Sequence, residues 1–246
     1  MLNLYYICSE ITVLIKINIM AIYIIMILVM AASWGAGYML KRRFAQYSAT
    51  PISNNLSGQE IAEKMLREHN VIDVSIICVD GQLTDHYNPM DKTVNLSHAV
   101  YNGRHMAAAA VAAHECGHAI QHAKSYAFLQ LRSRLVPIVN ISSNYMQWIL
   151  LGGVLLINTF PLLLGIGIGL FALTTLFAFV TLPVEFDASN RALNWMSGNR
   201  IVTNDEQAMA KNALWWAAMT YVIAALGSLA TLLYYISIFT GSRNEE

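Results

Sequence analysis

Apolar positions along this chain gather in three long stretches, with polar segments between them. The longest runs from Leu135 to Val184, fifty residues without one Asp, Glu, Lys or Arg. A helix needs about 20 apolar residues to cross a hydrocarbon core of roughly 30 Å, so this run holds two spans. Asn158-Thr159-Phe160-Pro161 interrupts it near the middle as a turn. Asn144 to Leu156 or so reads as most of one helix, and Leu162 to Leu182 as the next. Ala213–Phe239 reads as a further span, and Ile19 to Leu40, closed by Lys41-Arg42-Arg43, as the first. Charge-free stretches this long argue against buried helices of a soluble core.

The polar segments carry shorter patterns. Ser57-Gly58-Gln59-Glu60 has the spacing of a capping box, followed by Ile61, Met65 and Leu66 on one helical face. Val71 to Val79 alternates as a strand, Asp80-Gly81 is a turn signal, and Gln82 to Tyr87 is the expected partner strand of a hairpin. Lys92 to Ser97 predicts another short strand. The alanine-rich run Met106–Ala113 predicts a helix from Arg104 to about Lys124. The expected divisions are therefore 1–40, an N-terminal extension and first anchor; 41–134, a polar domain; 135–184, a transmembrane hairpin; 185–211, a second polar segment; and 212–246, the last span and tail.

Composition agrees with a membrane protein. Apolar residues make up 56% and charged residues 12% of the 246, against roughly 45–50% and 25% in soluble domains. Fifteen basic and fifteen acidic residues cancel, which leaves no basic excess for nucleic acid. The three cysteines, Cys8, Cys78 and Cys116, are scattered and odd in number, so no disulfide framework is expected. All basic residues except Lys16 and Arg243 fall on one side of the spans, which predicts a cytoplasmic location for the polar segments. Glu10 and Lys16 interrupt the first nineteen residues, and the pattern admits Met20 as the native start with residues 1–19 as an upstream extension. No small-residue cleavage site follows the first apolar stretch, so it is read as an anchor rather than a removed signal peptide.

The chemistry lies on the alanine-rich helix, in His114-Glu115-Cys116-Gly117-His118, an H-E-x-x-H motif. Residues four apart share a helical face, so both imidazoles can hold one metal ion. Two neutral His ligands suit zinc, whose catalytic sites take three protein ligands and leave one position for water. Glu115 would take that water's proton. For the third ligand, His122 lies one further turn along the same helix, where a straight helix cannot wrap it round a tetrahedral ion. Glu185 ends the neutral run and returns to the same side after two spans; it is either the ligand or simply the water boundary of its span. His69, His98 and His105 have no ligand spacing to one another and read as surface or packing residues. Asp85-His86-Tyr87 reads either as cleft lining or an oxyanion stabiliser, or as strand-end packing. Cys116 should be buried away from the histidine face, and Gly117 reads either as a close approach of another chain segment or as simple packing. Arg191 either orients Glu185 or Asp187 or flanks the membrane.

The segments around Leu83-Thr84-Asp85-His86-Tyr87, His114-Glu115-Cys116-Gly117-His118 and Leu182-Pro183-Val184-Glu185-Phe186 resemble the YugP-type neutral zinc metallopeptidases of bacterial membranes, from about Met20 to Phe239. The resemblance implies Zn2+ on His114, His118 and Glu185, with Glu115 as catalyst. A more distant likeness is to the HtpX and prenyl-protein protease gluzincins, whose glutamate ligand is followed four residues later by an aspartate. Here that position is Ser189, which leaves Asp187 as the nearest carboxylate for a supporting role, with Arg191 beside it.

The expectation is a mainly α integral membrane protein with about four transmembrane helices and a small α+β zincin-like domain carrying the H-E-x-x-H helix. Its function would be zinc-dependent hydrolysis of peptide bonds in a peptide or protein substrate, including membrane proteins, at a multi-pass cell-membrane enzyme whose site faces the cytoplasm. The strand Thr93–Ser97 would pair with the extended substrate. The alternatives are a non-catalytic membrane zinc-binding regulatory protein, for which Glu115 has no purpose, and a transporter, suggested by Gly165-x-Gly167-x-Gly169 but lacking an intramembrane ionisable residue.

Overall fold

The computed structural model describes the backbone of residues 2–243 and the side chains of Met20 and of 23–241. Side chains of 1–19, including Cys8, Glu10 and Lys16, and that of Arg243 lie outside the described residues. The chain order is α1 (Leu2–Ser48), α2 (Gly58–Glu68), β1 (Ser75–Val79), β2 (His86–Asn88), β3 (Thr93–Ser97), α3 (His98–Tyr101), α4 (Met106–Ala123), α5 (Ala127–Leu155), α6 (Pro161–Gly198) and α7 (Asn204–Arg243). It is mainly helical with a small sheet.

The residues divide into two compact units. The first comprises Met1–Gly35, Ile138–Ala178 and Ile223–Glu246. Its helices turn large apolar side chains outward, among them Met26, Trp148, Leu162 and Leu233, a surface suited to lipid. Small residues let its helices approach: a Cβ on Gly153 would lie 2.6 Å from the Cα of Leu164. Among the described residues three helical segments are long and apolar enough to cross a membrane: Tyr23–Ser48, Pro161–Gly198 and Asn204–Gly241. The expected second span, in α5, is not among them. Asn140, Ser142, Ser143, Asn144 and Gln147 dilute its apolar face.

The second unit comprises Ala36–Pro137 and Phe179–Val222. Its core forms where α2 packs on α4: Ile61, Met65 and Leu66 meet the alanines of α4, whose short side chains allow close contact. The capping box of α2 is complete. Glu60 N donates to Ser57 Oγ at 3.2 Å, and Ser57 N donates to Glu60 Oε2 at 2.7 Å.

The expected hairpin does not form. The three strands lie in the order β1-β3-β2, with β1 parallel to β3 and β2 antiparallel to it. Gly81 does turn, at φ +106°, but Leu83 at φ +58° breaks the extended run before it can pair back on β1. The Asp85 carboxylate instead accepts from Ser97 N at 2.7 Å and ties the crossover to the end of β3. All five residues of β3 are buried. With a neighbour on each edge, β3 has no edge left for a substrate strand. The outer edges of the sheet belong to β1 and β2.

Candidate metal centre

Helix α4 is the centre of the second unit and nearly all of it is buried. Its start is capped by His105, which accepts from Ala108 N at 3.1 Å. That role requires a neutral ring, and burial pulls the His105 imidazole pKa down. His114 and His118 project from the same face, their ring centroids 4.8 Å apart and nearly perpendicular. Gly117, between them, faces α6: a Cβ there would sit 2.6 Å from Ala188 O and 3.0 Å from its Cα. The missing side chain lets the α6 backbone lie against α4, and this contact carries Glu185 to the histidines.

Glu185 Oε2 lies 3.3 Å from His114 Nε2 and 3.6 Å from His118 Nε2. All three ligand atoms fall within 4.8 Å of one another. Tetrahedral zinc with bonds of about 2.0–2.1 Å separates its ligand atoms by about 3.3–3.4 Å, so two nitrogens and one oxygen at these distances fit the ion. Among the described residues this is the group of His, Cys, Asp and Glu able to hold a metal.

The neighbours set which nitrogen each ring offers. Gln121, fully buried, donates through Nε2 to Val184 O and to Asp187 Oδ2, both at 2.8 Å. These two acceptors fix the amide orientation, so Oε1 is the atom turned to His118 Nδ1 at 3.1 Å. An amide oxygen only accepts, hence Nδ1 carries the proton and Nε2 keeps its lone pair for a metal. Ser189 Oγ stands 3.1 Å from His114 Nδ1 and supports the other ring. Asp187 is therefore one step removed from the ligands, acting through Gln121. Arg191 Nε binds Asp187 Oδ2 at 2.6 Å, with its guanidinium over the Tyr126 ring. The residue against Glu185 is instead Arg132, whose Nη1 is 3.4 Å from Oε1.

Without a metal, burial alone would lower the His118 pKa, but the hydrogen bond and charge of Glu185, with Glu115 and Gln121 adding to them, raise it. A metal ion has to displace that proton.

Glu115 is 8% exposed, and its Oε2 accepts from Tyr87 N at 3.0 Å. That N–H points away from β3, along the free edge of β2. The Tyr87 phenol, pushed up to about 12 chiefly by burial, lies 2.7 Å from His122 Nδ1. His122 is thus engaged with Tyr87 and stands outside the ligand group. Cys116 is buried with Sγ 3.7 Å from Ala62 O. His69 bonds Met65 O, and His98 stands between Cys78 and Asp80. Sequence patterning points to neither Gln121 nor Arg132. Tyr87 enters there only within the Asp85-His86-Tyr87 segment, and Ser189 only as the gluzincin position.

A family model described as "Putative neutral zinc metallopeptidase" matches residues 22–240. The "Putative membrane protease YugP" of Bacillus subtilis (strain 168) is 41% identical over 216 residues, covering 87% of this chain and 94% of that protein. No solved structure matches the chain significantly.

Proposed function

Because the chain belongs to this family of zinc metallopeptidases, we propose that it hydrolyses peptide bonds with zinc held by His114, His118 and Glu185 and with Glu115 as general base. The observation that carries the proposal is the convergence of two imidazole Nε2 atoms and one carboxylate oxygen beside a second, separately held carboxylate. Zinc, when bound, polarises a scissile carbonyl and acidifies water. Gln121 and Ser189 hold the two rings with Nε2 turned to the ion. The Tyr87 N–H fixes one oxygen of Glu115 and leaves the other to take a proton from the attacking water. The same carboxyl then returns that proton to the departing amine nitrogen. The free edge of β2 is the backbone that would align an extended peptide, since strand addition places successive peptide bonds in register.

The substrate class is a peptide or protein, membrane proteins included, and not nucleic acid. The setting is a multi-pass cell membrane with α5 as the fourth span. Its polar residues would face neighbouring helices, and the polar unit would face the cytoplasm. The test is purified, zinc-loaded Glu115→Gln: zinc content unchanged, cleavage of a peptide substrate reduced by roughly 10²–10⁴-fold. Wild-type protein that holds zinc and cleaves nothing would favour a non-catalytic zinc-binding regulator instead.

A further inference from the structure

Arg132 sits near the start of α5 with its side chain about a third exposed, and its sole recorded partner among the described residues is Glu185. A guanidinium has five N–H donors in a fixed fork. A counter-ion for Glu185 would be expected to make two short bonds of about 2.7–2.9 Å. The contact observed is a single one of 3.4 Å, to the oxygen that the histidines do not face. The carboxylate is already shared between two imidazoles, and the other guanidinium N–H groups, on a side chain about a third exposed, are open to a further acceptor. Arg191 is engaged with Asp187 at 2.6 Å and the His122 ring with the Tyr87 phenol at 2.7 Å. Arg132 thus places a cation beside the carboxylate proposed as the third ligand.

We propose that Arg132 is a catalytic residue that holds the negative charge developing on the scissile carbonyl oxygen. This rests on the peptidase reading above. In the step concerned, the water oxygen bonds to the carbonyl carbon as Glu115 takes the water's proton. The carbonyl π pair moves onto oxygen, and the N–H groups of Arg132 receive it there. The pair returns as the C–N bond breaks and Glu115 protonates the nitrogen, leaving a carboxylic acid and an amine. Charge-stabilising donors of this kind act mainly on the transition state, so their removal lowers kcat rather than raising KM.

The experiment uses the purified full-length protein, zinc-loaded, as wild type and as Arg132→Met and Arg132→Lys. Three quantities are measured: zinc retained after dialysis against a mild chelator, kcat and KM on a peptide substrate, and the Kd of a peptide phosphonate, a tetrahedral anion. Arg132→Met should retain zinc, lose about 10²–10³-fold in kcat and keep KM within about threefold. Phosphonate binding should weaken in parallel with kcat. Arg132→Lys, which keeps the charge without the fork, should fall between, and it serves if the Met variant fails to fold. Zinc loss in step with activity would overturn the proposal by making Arg132 a support for Glu185. A rise in KM confined to peptides with a free C-terminal carboxylate would overturn it by making Arg132 a terminus binder. An active wild type beside an unaffected Arg132→Met would remove Arg132 alone, whereas an inactive zinc-loaded wild type would remove the peptidase reading and this role with it.

Discussion

Glu115 and Glu185 are both buried carboxylates, yet their surroundings differ, in keeping with the different tasks proposed for them. Glu185 meets two imidazole nitrogens and one guanidinium. Glu115 meets a single backbone N–H, from Tyr87. Glu185→Ala should therefore strip the protein of zinc, measured as stoichiometry after chelator dialysis, while His122→Ala should leave it nearly full because that ring is bonded to Tyr87. Full zinc in Glu185→Ala with loss in His122→Ala would refute the ligand set. Gln121→Leu should lower zinc affinity about 10–100-fold, the usual cost of losing a group that orients a ligand. An unchanged affinity would remove Gln121 from that role. The pH dependence follows from His118. Its pKa is raised in the metal-free protein, so the protonated interaction with Glu185 stabilises that form below the ordinary histidine pKa and is lost as pH rises through the elevated one. Zinc runs the other way, because it requires the neutral ring. Affinity measured by chelator competition should fall by about tenfold per pH unit for each proton displaced once pH drops below the elevated pKa. A flat profile through the acid range would contradict the exchange.

At the scale of elements, the contact between α4 and α6 decides whether the centre exists. On helix propensity alone, Gly117→Ala should stabilise by about 1 kcal/mol. The new Cβ would instead meet the backbone of Ala188 at 2.6 Å, and a helix backbone cannot swing aside as a side-chain tip can. The expected outcome is a lower Tm together with weaker zinc retention, since the shift moves Glu185 and Ser189 with it. A raised Tm with intact zinc would show that the approach is looser than the geometry requires. The edge of the sheet works differently. Because β3 is paired on both sides, a strand can be added only at β1 or β2, and on β2 the Tyr87 N–H is already bonded to Glu115.

For the whole molecule, basic residues cluster on one side of the apolar stretches, which predicts a cytoplasmic polar unit. A single cysteine at exposed Asn54, in a background with Cys8, Cys78 and Cys116 replaced, should resist an impermeant thiol reagent in intact cells and react after permeabilisation. Labelling of intact cells would reverse the orientation and exclude cytosolic substrates.

What the sequence by itself determined is what depends on near neighbours. Charge-free length marks the apolar helices, the one-turn spacing of His114 and His118 puts both rings on one face, and Ser57 with Glu60 caps α2. Each is set by the period or the cap of a single helix, so chain order suffices to read it. Tertiary structure alone decided the rest. The pairing of β1 with β3 across an intervening strand depends on Asp85 reaching Ser97, and α5 carries polar residues whose partners chain order does not name. Glu185 was open between ligand and span boundary, because only the approach at Gly117 brings α6 to α4. Gln121 and Ser189 read as ordinary helix residues until that contact aims them at the unused nitrogens of the histidines. A metal centre built from two helices is a statement about distances between them, and chain order carries no such distance.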